Sequence, residues 1–112
     1  MTGMYKLMIT FEQATPGFEL EWQKFLKLAE KMPDLRREII SRPDRLIAGN
    51  PETLPVMVHE LIFDSREKLE AALSSPEGRL AGQFLQTFTG GRVTILTAGH
   101  LEATEKEFRK KK

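Results

Sequence analysis

Apolar residues recur along this chain with two periods, and the switches between them divide it into elements. From Tyr5 to Phe11 the period is two. Tyr5, Leu7, Ile9 and Phe11 fall on one face and Lys6, Met8 and Thr10 on the other, which predicts a strand with one fully apolar side. Phe18, Trp22, Phe25, Leu26, Ala29 and Met32 then recur at spacings that trace one side of an α-helix. Thr15 and Pro16 have the types of a helix cap and a first helical residue, and Pro33 ends the segment. Residues 35–42, LRREIISR, alternate again. They predict a second strand whose charge density suits a sheet edge. Residues 43–54, with two prolines and a glycine, predict a long connection, either a plain surface hairpin or a lid over a binding site.

The stretch from Pro55 to Gly91 organises the rest. PVMVHELIFD is rich in Val, Ile, Leu and Phe and predicts a buried strand. Asp64 and Glu67 stand at capping-box spacing, and Leu69, Ala72 and Leu73 follow at helical spacing. Ser75 and Pro76 interrupt that helix and restart it as cap and first residue. Leu80, Phe84, Leu85 and Phe88 carry the apolar face onward to Gly90 and Gly91, which end it. Residues 92–98, RVTILTA, predict a fourth strand, and 99–103 either extend it or begin a tail. The order β-α-β-β-α-β predicts an α+β, ferredoxin-like domain over residues 1–103, with a four-stranded antiparallel sheet and both helices on one face. Residues 104–112, TEKEFRKKK, read as a charged, frayed C-terminal tail.

Two helices leave the other face of such a sheet open. With Tyr5, Leu7, Ile9 and Phe11 toward the helices, Met8 lies on that open face with Ile40, Val58, Ile62 and Leu96. An apolar patch of this kind predicts a two-fold homodimer packed sheet to sheet. On the third strand Met57, His59, Leu61 and Phe63 share one side, and Val56, Val58, Glu60 and Ile62 share the other. Phe63 immediately precedes the second helix and can pack under it, so the first set is expected to face the helices. A bulge would exchange the two sets.

Composition narrows the function without stating it. The 112 residues suit one domain, and the absence of cysteine removes disulfides and thiol catalysis and suits a reducing cytoplasm. Seventeen basic residues against sixteen acidic ones steer the chain neither to nucleic acid nor to an anionic membrane. The N-terminal apolar run is too short for a signal peptide or a membrane span. The terminal lysines could touch phosphates, but nothing else in the sequence supports a nucleic-acid site.

Glu60 sits within an apolar run. A partly buried carboxyl there takes a partner or keeps a proton, and is a candidate general base. The plainer reading is a structural ion pair with Lys6, Arg36 or Arg37. His59 invites a proton-transfer role. Strand neighbours point to opposite faces, however, so His59 and Glu60 cannot act on one atom together. Trp22, Phe25 and Phe84 could line an apolar cavity, though residues at helical spacing are usually core. The Tyr5 hydroxyl could orient a ligand. Met8 and Val58 would line the barrel side. His59 and His100 lack metal-ligand spacing, and no nucleophile, base and orienting residue form a set.

HELIFD, the Leu/Ala-rich helix, SPEGRLAG and FTGGRVTIL together resemble the second half of the EthD family, in the dimeric α/β-barrel superfamily with its ferredoxin-like fold. The resemblance covers roughly residues 4–98. It implies a homodimer built through the sheet face, with a pocket for a small apolar organic compound. It also implies an association with oxidative degradation, with a cofactor-independent oxidoreductase or isomerase, or a non-catalytic binding module, as the readings it leaves open. Many family members carry a Tyr and a His in the first helix. Here EWQKFLKLAEKMPDLRR matches at PDLRR but lacks the His, which moves attention to the third strand.

Overall fold

A computed structural model describes residues 2–109. Strand β1 (Thr2–Phe11) leads to helix α1 (Phe18–Ala29), β2 (Arg37–Ser41), β3 (Met57–Phe63), α2 (Arg66–Ser74), α3 (Pro76–Thr89), β4 (Val93–Glu102) and a short α4 (Glu105–Arg109). The four strands form one sheet in the order β2-β3-β1-β4, and every neighbouring pair is antiparallel. This is the ferredoxin-like βαββαβ arrangement, its second helix broken in two. The connection between β2 and β3 carries a single 3₁₀ turn at Pro51–Thr53, capped by the Asn50 side chain. The predicted tail at 104–112 winds into α4, and residues 110–112, which include the three terminal lysines, lie outside the described residues.

The register fixes both faces. Leu7 pairs with Leu61 and Thr97, Ile9 with His59 and Ile95, and Phe11 with Met57 and Val93. These rows meet the helices. Phe18, Trp22, Phe25 and Ala29 of α1 close one half of the core, and Leu69, Ala72, Ala81 and Leu85 of α2 and α3 close the other. The open face carries Met8, Val58, Glu60, Ile62, Leu96 and Ile39.

Three local expectations change. Ile40 pairs with His59, so it faces the helices, and Ile39, opposite Glu60, takes the open-face place. Alternation within a strand cannot give register between strands, and β2 slides freely on paper by one residue. Helix α1 begins at Phe18 with Gly17 as its cap, in the left-handed region at φ 76° and with no side-chain hydrogen bond. The Thr15 carbonyl accepts the Phe18 N–H at 2.9 Å. A left-handed residue there lets the chain turn sharply into the helix. Helix α2 is capped by Ser65, whose Oγ accepts the Lys68 N–H at 3.2 Å. Asp64 stands between the end of β3 and that cap, and its carboxylate takes the Arg36 guanidinium at 3.0 Å.

The break between α2 and α3 is held by Ser75. Its hydroxyl donates to the Ala72 carbonyl at 2.6 Å and accepts the Gly78 N–H at 3.0 Å, satisfying a helix end on each side. At Gly78 the two helices touch: a Cβ would run into the Ala72 carbonyl oxygen and stand 2.9 Å from that of Leu73. A Cβ at Gly82, one turn later, meets nothing within 4 Å. The two glycines therefore respond with opposite signs. Gly78→Ala is expected to destabilise by about 1–3 kcal/mol through overpacking. Gly82→Ala is expected to stabilise by roughly 0.5–1 kcal/mol through helix propensity. Urea-unfolding midpoints of the two variants check the pair.

Candidate functional site

Strand β3 sets His59 on the helix side, in the row of Ile9 and Ile40. Its side chain is fully buried. Helix α1 brings Trp22 and Phe25 onto it: both rings meet the imidazole edge-on, with centroids 5.8 Å away. The Trp22 indole Nε1–H donates to His59 Nδ1 at 3.3 Å. A neutral imidazole has one donor and one acceptor nitrogen, so an acceptor at Nδ1 puts the proton on Nε2. Outside, the Arg42 guanidinium lies 5.3 Å from the Trp22 ring centroid, held in a two-pronged pair with Glu19 at 2.7 and 3.1 Å.

His59 Nε2 faces Glu38 Oε2 at 3.8 Å. That is beyond hydrogen-bonding distance, and both atoms are buried without a hydrogen-bond partner among the described residues. Burial pushes His59 down to about 4, opposed by the negative field of Glu30. Burial likewise pushes Glu38 up to about 7, aided by the hydrogen bond that its protonated form donates to Glu30, at the C-terminal end of α1, and by repulsion from that carboxylate. Close to neutrality the histidine is uncharged and the carboxyl holds a proton for part of the time. The pair is accordingly no salt bridge. Sequence reasoning missed Glu38 and Glu30. Glu38 is one of several charges on a strand whose charge density suits a sheet edge, and nothing in the apolar spacing of α1 singles out Glu30. In the sequence Glu38 shares a face with Ile40, and only the pairing of β2 with β3 places that face beside His59.

Beside this cluster a small apolar cavity of about 80 Å³ lies between sheet and helices. Phe25 and Ile9 belong to its wall as well as to the surroundings of His59. Its rim includes Leu73 and Ile95, 38% and 40% exposed, and Gly82, so it opens toward solvent beside β4.

The other expected site residues lie elsewhere. Glu60 stands on the open face and pairs with Lys6 at 2.6 Å, both side chains largely buried. Met8 is its direct cross-strand neighbour, and Val58 precedes it by one pleat on the same face. Glu60 is thus close to His59 in sequence and on the far side of the sheet from it. At one end of this face the edge strands are joined by Arg37 and Glu102 at 3.2 Å, with His100 on Glu102 at 3.0 Å. Ile62, between the two strands, is fully buried. Tyr5 lies beyond both groups. Its hydroxyl is 3.4 Å from Thr97 Oγ1, and its ring lines an open concavity of about 550 Å³ with Gly3, Asp64, Ser65 and Gly99. Of the expected residues, then, the fold joins Trp22 to His59, gathers Met8, Val58 and Glu60 on the open face, and leaves Tyr5 apart. Among the described residues no cluster of three or more His, Asp or Glu side chains is arranged to hold a metal ion, and no helix is long and apolar enough to cross a membrane.

No family model matches the chain. It is 30% identical over 96 residues to an uncharacterised 11.0 kDa protein of the thcB-thcC intergenic region of Rhodococcus erythropolis, covering 83% of this chain and 91% of that one. Among solved structures it is similar to an ethyl tert-butyl ether degradation (EthD) family protein of Bacillus halodurans, with 26% identity, TM-score 0.75, and 88% and 99% of the two chains covered. A dimeric ferredoxin-like protein of unknown function from Jannaschia superposes with TM-score 0.65 at 14% identity, covering 89% and 99% of the two chains. SnoaB, a cofactor-independent oxygenase from Streptomyces nogalater, superposes with TM-score 0.56 at 13% identity, covering 91% and 93%. These last two share the fold.

The two shifted groups pull stability in opposite directions. Between the folded His59 value of about 4 and its usual 6.5, the unfolded chain binds more protons, so stability falls as pH falls. Between the usual Glu38 value of 4.5 and its folded value of about 7, the folded chain binds more protons, so stability falls as pH rises. In the shared window the slopes offset each other. Glu38→Gln removes one of them. It is expected to leave a protein that loses stability more steeply than the parent on acidification from pH 6.5 to 4.5. Denaturant titrations across that range check this, and parallel slopes for the two proteins would refute it.

Proposed function

The chain belongs to the EthD family of the dimeric α/β-barrel superfamily, and from that premise we propose that it binds a small apolar organic compound between sheet and helices and oxidises it without a cofactor. The observation that carries this reading is the buried cluster of Trp22, His59 and Glu38, separated by Phe25 and Ile9 from an apolar cavity whose wall those two residues share. Perturbed titratable groups beside an apolar space are a common mark of a reaction site. Likeness in fold to a cofactor-independent oxygenase supports the same reading. His59 donates from Nε2–H to a ligand oxygen, Trp22 keeps it in that tautomer, and Phe25 separates it from the apolar part of the ligand. Entry is at Gly82, Leu73 and Ile95. Glu60 has its part in this reading on the other face, where its pair with Lys6 lies in the seam between two copies of the chain. Met8, Val58 and Leu96 form the apolar part of that seam.

One observation favours a second reading, a binding or assembly module without chemistry. The interior cavity, about 80 Å³, is small beside the roughly 300–1,000 Å³ of ordinary ligand pockets. Binding a compound therefore requires the half-exposed rim at Leu73 and Ile95 to move outward.

Native mass spectrometry of protein purified from its source, joined to oxygen-electrode measurements on the retained compound, separates the readings. Oxygen uptake is expected with no added flavin, haem or metal, and His59→Gln is expected to lower it by about 100-fold, as for loss of one preorganised donor. Uptake indifferent to His59→Gln would contradict the catalytic reading, and a retained compound that is never consumed would favour the module. For the assembly, Leu96→Glu places a charge on the open face, where Leu96 is 45% exposed. Sedimentation at micromolar concentration is expected to show a dimer for the parent chain and a monomer for the variant.

A further inference from the structure

The proposed reading assigns the imidazole a task and leaves the carboxyl beside it without one. Glu38 comes from β2 and shares the helix-side face with Ile40. Its Oε2 is buried, unpaired among the described residues, and 3.8 Å from the equally unpaired Nε2 of a histidine with no solvent exposure. On its other side it is hydrogen-bonded to Glu30, which lies at the C-terminal end of α1 and is exposed. The three groups therefore run from solvent inward in the order Glu30, Glu38, His59. The innermost cannot be a base on its Nε2 side, because Trp22 occupies Nδ1 as donor and so keeps the ring proton on Nε2.

We infer that Glu38 is the proton-exchanging group of this site, that Glu30 connects it to solvent, and that His59 serves beside it as a fixed hydrogen-bond donor and not as a base. The inference rests on the proposed site, but not on any particular ligand. A ligand oxygen seated against the pair accepts a hydrogen bond from His59 Nε2–H while Glu38 gives it a proton or takes one. When Glu38 gives its proton away, the Glu30 carboxylate takes one from water and passes it across the hydrogen bond between the two carboxyls. When Glu38 takes a proton, the transfer runs outward. One proton moves at each step and no electron does.

Two carboxyls can share a proton in this way only if no cation neutralises them. The charged and titratable groups around Glu38 meet that condition. Glu30 faces it from α1 and neutral His59 from β3. Arg42 is taken up by Glu19 and the Trp22 ring, and Arg36 by Asp64. Arg37 and Lys6 project from the opposite side of the sheet to Glu102 and Glu60.

The test uses the full chain, free of ligand, with ¹⁵N-labelled histidine and ¹³C-labelled glutamate side chains. Its failure is thus distinct from failure of the oxidative reading, which depends on a compound being consumed. At neutral pH, His59 is expected as a single Nε2–H tautomer, and Trp22→Phe is expected to release the second tautomer. The Glu38 carboxyl is expected to titrate far above the other glutamates, and Glu30→Gln is expected to bring its midpoint down. Glu60→Gln, on the other face, leaves that midpoint where it was. An Nδ1–H tautomer in the parent chain would overturn the inference. A Glu38 midpoint among the ordinary glutamates, or one indifferent to Glu30→Gln, would overturn it equally. Thermal melts of each variant show whether it is folded. If Trp22→Phe is not, the tautomer of the parent chain and the Glu30→Gln shift decide alone.

Discussion

The two-residue alternation of β3 is the constraint on which the rest of the molecule depends. MVHELIF is flanked on both sides by other strands and meets helices on one face only. Its odd positions must therefore fill a core, and its even positions must face whatever lies across the sheet. Met57, Leu61 and Phe63 are apolar and fill the core at no polar cost. His59 occupies a core position too, and that single polar residue draws in the rest of the helix-side chemistry. An imidazole in the interior must be neutral and must find partners for its nitrogens. Trp22 supplies one partner. Glu38, whose protonated form is favoured by burial there, stands near the other.

On the even side the same alternation presents Val58, Glu60 and Ile62. Glu60 is matched by Lys6 from the neighbouring strand, so the centre of the open face carries a paired charge within an apolar surround. One end of the face is closed by the chain's own Arg37–Glu102 pair. The part left uncovered is the apolar one around Met8, Val58 and Leu96. Such a pattern, paired charge within apolar surface, suits association with a second copy better than contact with water. The proposed dimer and the proposed reaction site therefore occupy opposite faces of one sheet.

Much of this was legible beforehand. The element order, the broken second helix at Ser75 and Pro76, and the facing of His59 and Glu60 follow from local spacing and from Phe63 sitting directly before α2. What was not legible required distances between segments far apart in the chain. Ile40 reads as open-face until pairing with His59 is known. Glu38 reads as solvated because its neighbours Arg36 and Arg37 are charged, and only the pairing of β2 with β3 turns it inward. The cap of α2 moved by one residue because Asp64 has a better partner in Arg36, which lies 28 residues earlier. The tautomer of His59 was beyond any pattern, since it depends on one hydrogen bond from α1.

The cysteine-free sequence allows the facing of β3 to be measured directly, because a single introduced thiol is the only one present. The rate at which a water-soluble thiol reagent modifies Val58→Cys and Met57→Cys should be followed over a range of protein concentrations. The account predicts that the thiol at position 58 is shielded when the protein is concentrated and reacts on dilution, and that the thiol at position 57 stays shielded throughout. A thiol at 58 that reacts equally at every concentration would contradict the seam, and one at 57 that reacts while 58 does not would reverse the faces on which the whole account rests.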